Sequence, residues 1–209
     1  MEALAASAGS YHQEVPIRHS PPQGGGVDRE LIVQARDGDE RAFADLTSAI
    51  GGRLDRAAYG ILRDRDSAED AMQAALVQIW RKLPTLRDPD RFDGWSYKIL
   101  VHACYAEAKR SRRGFEAPLD DIPAQDDLGV ILDRDQLERA FRRLTLEQRT
   151  VLVLRHYLDL APETVAESLG IPVGTVHSRV HRALEAMRAA LEADARSVLA
   201  MANPDGGVR

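Results

Sequence analysis

The stretch PETVAESLGIPVGTVHSRVHRA, residues 162–183, decides how the chain is read. Apolar residues recur at helical spacing on both sides of Gly170, which supplies the positive φ needed to end a first helix. Leu169 and Ile171 close the corner, and Val165, Ala166, Val176 and Val180 can pack between the two arms. Pro162 sits in a first turn, where a missing N–H is tolerated. The pattern predicts a helix-turn-helix. Its second helix presents Thr175, His177, Ser178, Arg179 and Arg182, residue types that reach base edges and phosphates in a major groove. A plain helical hairpin with arginines in solvent is the competing reading. The corner glycine, its apolar flanks and the basic protruding end favour DNA. His177 and His181 are four apart, but no Glu lies between them and no third ligand is evident, so no metal or other cofactor is expected.

Residues 135–143, 146–157, 162–169 and 173–193 are expected to form a second helical domain, 135–193, with residues 194–209 as a flexible tail. Before it, residues 114–134 carry Pro118, Pro123 and Gly129 and read as a flexible acidic linker. Over residues 114–138, Glu116, Asp120, Asp121, Asp126, Asp127, Asp133, Asp135 and Glu138 stand against Arg134 alone, a net −7. The first domain, 28–113, has a short helix from Asp28, a break at Asp37-Gly38-Asp39, and a long helix with Phe43, Leu46, Ile50, Leu54, Ala57, Ala58, Ile61 and Leu62 at three- and four-residue steps. A third helix runs to Leu83, capped by Asp66 or Ser67 and stopped by Pro84. A fourth runs from Gly94 to about Arg113, capped by Asp93. Residues 1–27, with Pro16, Pro21, Pro22 and three consecutive glycines, read as a disordered extension. The expected fold is all-α: two small helical domains joined by an acidic linker.

Two helices of the first domain carry surfaces. In the fourth, Lys98, His102, Tyr105, Lys109 and Arg112 recur at steps of four and three and share one face. Lys98, Lys109, Arg110, Arg112 and Arg113 against Glu107 give residues 94–113 a net +4. Cations that follow phosphates around a ring that can stack on a base suit opened DNA. An amphipathic helix with a charged outside would read the same way. Trp95, Ile99, Ala103 and Ala106 lie on another face and are expected to anchor this helix to its domain. In the third helix Asp70, Gln73, Val77 and Trp80 form a stripe off the apolar seam, a candidate protein-binding surface, although Trp80 suits a core position equally well.

In this order the segments resemble the bacterial RNA polymerase sigma factors of the two-domain extracytoplasmic-function (ECF) group. Ala68 to Gln73, continuing to Ile79-Trp80, is similar to the family's polymerase-clamp helix. Trp95 to Arg113 is similar to its minus-ten helix, and Leu144 to Leu191 to its minus-thirty-five domain, with Gly174 to Ala183 the most specific match. The resemblance implies binding to core RNA polymerase and promoter DNA and no catalysis. It assigns Asp70, Gln73 and Trp80 to polymerase, Lys98, His102, Tyr105, Lys109 and Arg112 to the opened minus-ten element, and Thr175, His177, Ser178, Arg179 and Arg182 to the minus-thirty-five duplex. It implies a linker threaded toward the polymerase cleft, where a −7 segment would mimic a polyanion. An anti-sigma protein is a further partner that the family often uses. The chain departs from the family at His102, where Asn is usual, and at Ala106, where Asp is frequent.

Composition sets the outer bounds. The 209 residues are 44% hydrophobic, 29% charged and 5% aromatic, ordinary globular usage with little of the β-branched alternation a sandwich needs. The net charge of −5 conceals two basic segments, residues 94–113 at +4 and residues 139–192 at +2. A single cysteine, Cys104, excludes a disulfide framework and fits a reducing cytoplasm. No run approaches a membrane span, so no insertion is expected. No Gly-rich phosphate loop, nucleophile elbow or metal-spaced cluster argues for an enzyme. A helix-turn-helix regulator that does not bind polymerase is the alternative; it would not need the stripe at Asp70, Gln73 and Trp80 or the basic face from Lys98 to Arg112.

Overall fold

A computed structural model describes residues 27–114 and 131–202, with side chains described over 27–111 and 135–196. The described residues are all-α. α1 (Arg29–Arg36), α2 (Glu40–Leu62), α3 (Arg65–Lys82) and α4 (Phe92–Gly114) make the first set. α5 (Ile131–Arg142), α6 (Leu146–Leu152), α7 (Pro162–Leu169) and α8 (Val173–Ala202) make the second. A π-helical turn, Val153–Tyr157, continues α6. Residues 1–26, 115–130 and 203–209 lie outside the described residues, and with them the expected N-terminal extension and most of the expected linker.

Helix starts follow side-chain caps. The Asp39 carboxylate accepts from the N–H groups of Arg41 and Ala42 (2.8 and 3.0 Å) after a turn in which Gly38 takes φ 101°. Thr145 and Gln148 form a reciprocal capping box on α6. The α3 cap is Asp64, which accepts from Ser67 N at 2.8 Å, and not Asp66 or Ser67 as expected. The helix begins two residues early because Asp64 takes the extended backbone that a cap requires. Hydrogen bonding from the Ser67 side chain, and then from its backbone N–H, lowers the Asp64 pKa. Asp93 does not cap α4 either. A 3-10 turn at Pro89–Arg91 leads into Phe92, so Asp93 falls in the first helical turn and pairs with Arg53 at 3.3 Å.

Two boundaries move outward. α5 begins at Ile131, inside the segment expected to be linker, and α8 continues to Ala202, into the expected tail. Asp194 explains part of the extension: it is buried against Arg143 at 2.6 Å, with Arg139 at 3.7 Å, tying the end of α8 to α5.

Leu46, Ile50, Leu54 and Ile61 of α2, Ile79 of α3, and Phe92 and Leu100 of α4 are fully buried in the first set, as are Val151, Leu154, Val165 and Val176 in the second. The sets also pack on each other, α4 against α7 and α2 against α6 and its π-turn. Gly94 admits α7 close enough for the buried Ser168 Oγ to donate to its carbonyl at 3.1 Å. Arg149 Nε donates to the Ile61 carbonyl at 2.7 Å, near the end of α2.

Candidate nucleic-acid and protein interfaces

The helix-turn-helix forms as its sequence predicts. Gly170 adopts φ 65°, ψ 35°. Its N–H donates to Glu167 O at 3.3 Å and that of Ile171 to Ala166 O at 3.0 Å, the pair of bonds of a Schellman cap. Val165, Ala166 and Val176 are buried between the arms, and Val180 packs at their edge. α8 therefore leaves the corner with its N-terminal end protruding. His177, Ser178 and Arg182 are exposed there, while Thr175 and Arg179 are half-buried. The Ser178 hydroxyl donates to Thr175 O (3.0 Å) and Arg182 Nε to Ser178 O (3.2 Å). Arg179 faces Glu147 at 3.9 Å and with Arg182 lines a small recess beside the start of α6. His181 pairs with Glu185. Among the described residues no group of three or more His, Cys, Asp or Glu side chains is placed to hold a metal.

On α4 the structure divides the face that the sequence grouped. Lys98, His102 and Lys109 are exposed, and Lys98 and His102 border a groove of about 860 Å³ between α3 and α4. Tyr105 instead turns toward the second helical set and is half-buried beside Thr150, Glu147 and Arg179. Burial raises its hydroxyl pKa, with Thr150 opposing as a hydrogen-bond partner. The Arg112 side chain lies outside the described residues.

The expected anchor of α4 is corrected. Trp95, Ile99 and Ala103 are only partly buried and Ala106 is exposed; all four line the groove. Phe92, Ser96, Tyr97, Leu100, Val101 and Cys104 hold the helix in place. Both stripes have helical spacing, and the buried one gains Phe92 and Leu100 as its large apolar members. Burial pushes the Cys104 thiol up to about 12.

On α3, Asp70 and Gln73 stand on the opposite wall of the groove and Val77 is exposed beside them. Gln73 donates to Glu69 at 3.4 Å. Trp80 is 39% exposed and lies on Phe43 of α2, ring centroids 4.5 Å apart, so it is both packed and accessible. Arg110, which the sequence reading counted toward the net charge but not as a site residue, bridges the two walls: it reaches Asp70 at 2.6 Å and Glu107 at 2.7 Å. Its position one turn after Ala106 on the groove side was the signal. The arrangement is an apolar floor with a mixed-charge rim, open to a protein or to unstacked bases, and it contains nothing resembling a nucleophile with its base.

With this geometry in view, comparisons with known proteins bear on both helical sets. A family model described as Sigma-70 region 2 matches residues 46–114, and one described as Sigma-70, region 4 matches residues 134–187. The chain is 31% identical to the ECF RNA polymerase sigma factor SigM of Mycobacterium tuberculosis, over 80% of this chain and 89% of that protein. It is 30% identical to the RNA polymerase sigma-H factor of Pseudomonas aeruginosa, over 79% of this chain and 94% of that one. Among solved structures, CnrH in complex with the cytosolic domain of CnrY superposes with a TM-score of 0.60 at 28% identity, covering 80% of this chain and 98% of CnrH. Among the described residues no helix is long and apolar enough to cross a membrane.

Proposed function

This chain belongs to the ECF group of RNA polymerase sigma factors, binding core polymerase and promoter DNA to direct transcription initiation, and from that premise we propose which of its surfaces does what. α3 meets polymerase through Asp70, Gln73 and the accessible edge of Trp80. α4 meets the opened minus-ten element through Lys98, His102, Tyr105, Lys109 and Arg112, and α8 meets the minus-thirty-five duplex through Thr175, His177, Ser178, Arg179 and Arg182. The observation that carries this reading is the protruding start of α8 beyond the Gly170 corner, where His177, Ser178 and Arg182 stand exposed together. Lys98 and His102 beside the apolar groove support the assignment of α4, since an unstacked base needs an apolar or aromatic platform next to cations.

The remaining parts of the reading follow from the chemistry. The acidic stretch over 114–138 lies along the cationic nucleic-acid channel of polymerase as a polyanion mimic. Sigma factors act in initiation without catalysis, and this chain is read in the same role, working in the cytoplasm beside the polymerase. An anti-sigma protein restrains it. Reconstitution with core polymerase tests the assignment. Asp70→Ala with Gln73→Ala should weaken holoenzyme assembly. Lys98→Ala with His102→Ala should leave assembly intact and impair promoter opening, read by permanganate footprinting. Wild-type opening by the α4 variant would overturn its assignment.

A further inference from the structure

The end of the α3–α4 groove that carries Asp70 holds a charge cluster shared by the two surfaces assigned above. Arg110 reaches Asp70 Oδ2 at 2.6 Å and Glu107 Oε2 at 2.7 Å, both through Nη2. Its Nη1 and Nε bond to no other described residue. The two acids differ. Glu107 is buried, and a buried carboxylate needs its cation. Asp70 stands in solvent with 57% of its side chain exposed, against 67% for Arg110. Water and salt screen such a pair, so it is worth no more than about fivefold in an equilibrium.

The Asp70 pair does not hold the groove together. Ala68, Ala71 and Ala75 of α3 and Leu100, Val101 and Cys104 of α4 are buried in the core, and at the same end Ser67 Oγ meets Ser111 Oγ at 3.4 Å. A change of partner at Asp70 therefore leaves both helices in place. Arg110 also lines the groove on the side of α4 that carries Lys98 and His102. Neither of those has an ion-pair or hydrogen-bond partner among the described residues. The row of cations that would follow phosphates is thus interrupted only where Asp70 neutralises it. Asp70 serves polymerase by accepting from a donor there, which displaces Arg110. An Arg110 left with Glu107 alone has Nη1 and Nε to offer a phosphate.

Given the assignment of Asp70 to polymerase and of the groove side of α4 to the opened strand, we infer that Arg110 is a further promoter contact whose availability Asp70 sets. In the free chain Arg110 neutralises Asp70. When a polymerase donor takes that carboxylate, Arg110 stays anchored to Glu107 and donates to a backbone phosphate of the opened minus-ten strand. Coupling is reciprocal, so DNA in the groove favours the same exchange and strengthens the hold on polymerase.

Two substitutions separate charge from structure. Arg110→Gln keeps a donor for Glu107 and has no charge, whereas Arg110→Lys keeps the charge. Each full chain is assembled with core polymerase, and affinity for a promoter with a pre-opened minus-ten bubble is measured across a salt series. Loss of one phosphate contact on single-stranded DNA should make the slope of log K against log salt shallower by about 0.7 in the Gln holoenzyme. The Lys holoenzyme should match wild type. Without DNA, the Gln chain should bind core polymerase about two- to fivefold more tightly, since Asp70 no longer has an internal partner to give up. A slope unchanged by Arg110→Gln, or a core affinity that does not rise, would overturn the exchange while wild-type promoter-dependent transcription keeps the family function intact. Asp70→Ala tests the premise by itself. Weakened assembly supports the α3 assignment on which the exchange stands, and wild-type assembly removes that assignment and the exchange together.

Discussion

Replacing Gly170 with Ala isolates a single physical quantity, the backbone cost of the helix-turn-helix corner. Gly170 sits at φ 65°, ψ 35°, and a Cβ built on it meets no atom within 4 Å. No steric clash with neighbours enters; only the left-handed conformation is penalised. For an L-residue that penalty is about 1–2 kcal/mol, offset by roughly 0.4–1 kcal/mol because Ala restricts the unfolded chain, so the net loss is about 1 kcal/mol. In a chain of this size unfolding as one unit, that lowers Tm by about 2–4 °C, or by about 4–8 °C if the second helical set melts alone. Gly174, four residues on, supplies the control. It too meets nothing within 4 Å, but it lies in the first turn of α8 without a positive φ, so Ala there should stabilise by up to about 1 kcal/mol through helix propensity. Gly170→Asn should fall between Ala and wild type, since Asn tolerates the left-handed region. Circular dichroism melts and urea titrations of the full chain measure all three. Substitutions at 170 and 174 that shift stability in the same direction would show that the corner does not depend on the Gly170 backbone, and the placement of α8 would need another explanation.

Four further outcomes are expected. Arg179→Ala should reduce promoter affinity or selectivity by about 1–3 kcal/mol if its guanidinium reads a base, and a neutral result in a competition binding assay removes it from the interface. Thr145→Ala breaks the reciprocal cap of α6 and should cost about 1 kcal/mol in chemical denaturation, whereas Thr145→Ser should cost less. The Cys104 thiol keeps its proton to about 12 in the folded chain and loses it near 9 when unfolded, so between those values the folded state binds more protons and stability falls as pH rises, by at most about 1.4 kcal/mol per pH unit. Urea titrations across that range should show a steeper fall than in Cys104→Ala, and native protein should resist alkylation at pH 8. Arg63 holds φ 61° at the end of α2, so Arg63→Gly should be about 1 kcal/mol more stable than Arg63→Ala, although both lose the Glu138 pair; equal melting temperatures would contradict that.

The parts of this molecule that were legible in the sequence are those where local chemistry and tertiary structure agree. Gly170 between apolar arms, Asp39 after Gly38, and Pro84 at the end of α3 each have a short-range cause, and each forms as read. α4 shows where local reading fails. Apolar residues occupy most of its circumference, so Trp95-Ile99-Ala103-Ala106 and Phe92-Ser96-Leu100-Cys104 have equal claims to the buried side by spacing. Only the partners supplied by α2 and α3 choose between them. The choice has consequences for function, because the rejected stripe becomes the exposed groove floor.

The seam between the two sets was further from view, since none of its hydrogen bonds joins residues close in sequence: Ser168 to Gly94 and Arg149 to Ile61 span 74 and 88 positions. Yet it left one trace. Gly60 and Gly94 stand inside helices, where glycine is about 1 kcal/mol less favourable than alanine, and nothing in the local pattern of α2 or α4 requires them. Both prove to be points where the other helical set approaches the backbone, Val153 at Gly60 and Thr164, Glu167 and Ser168 at Gly94. A helix that keeps a glycine against its own propensity is marking a close neighbour. Here both neighbours belong to the second helical set.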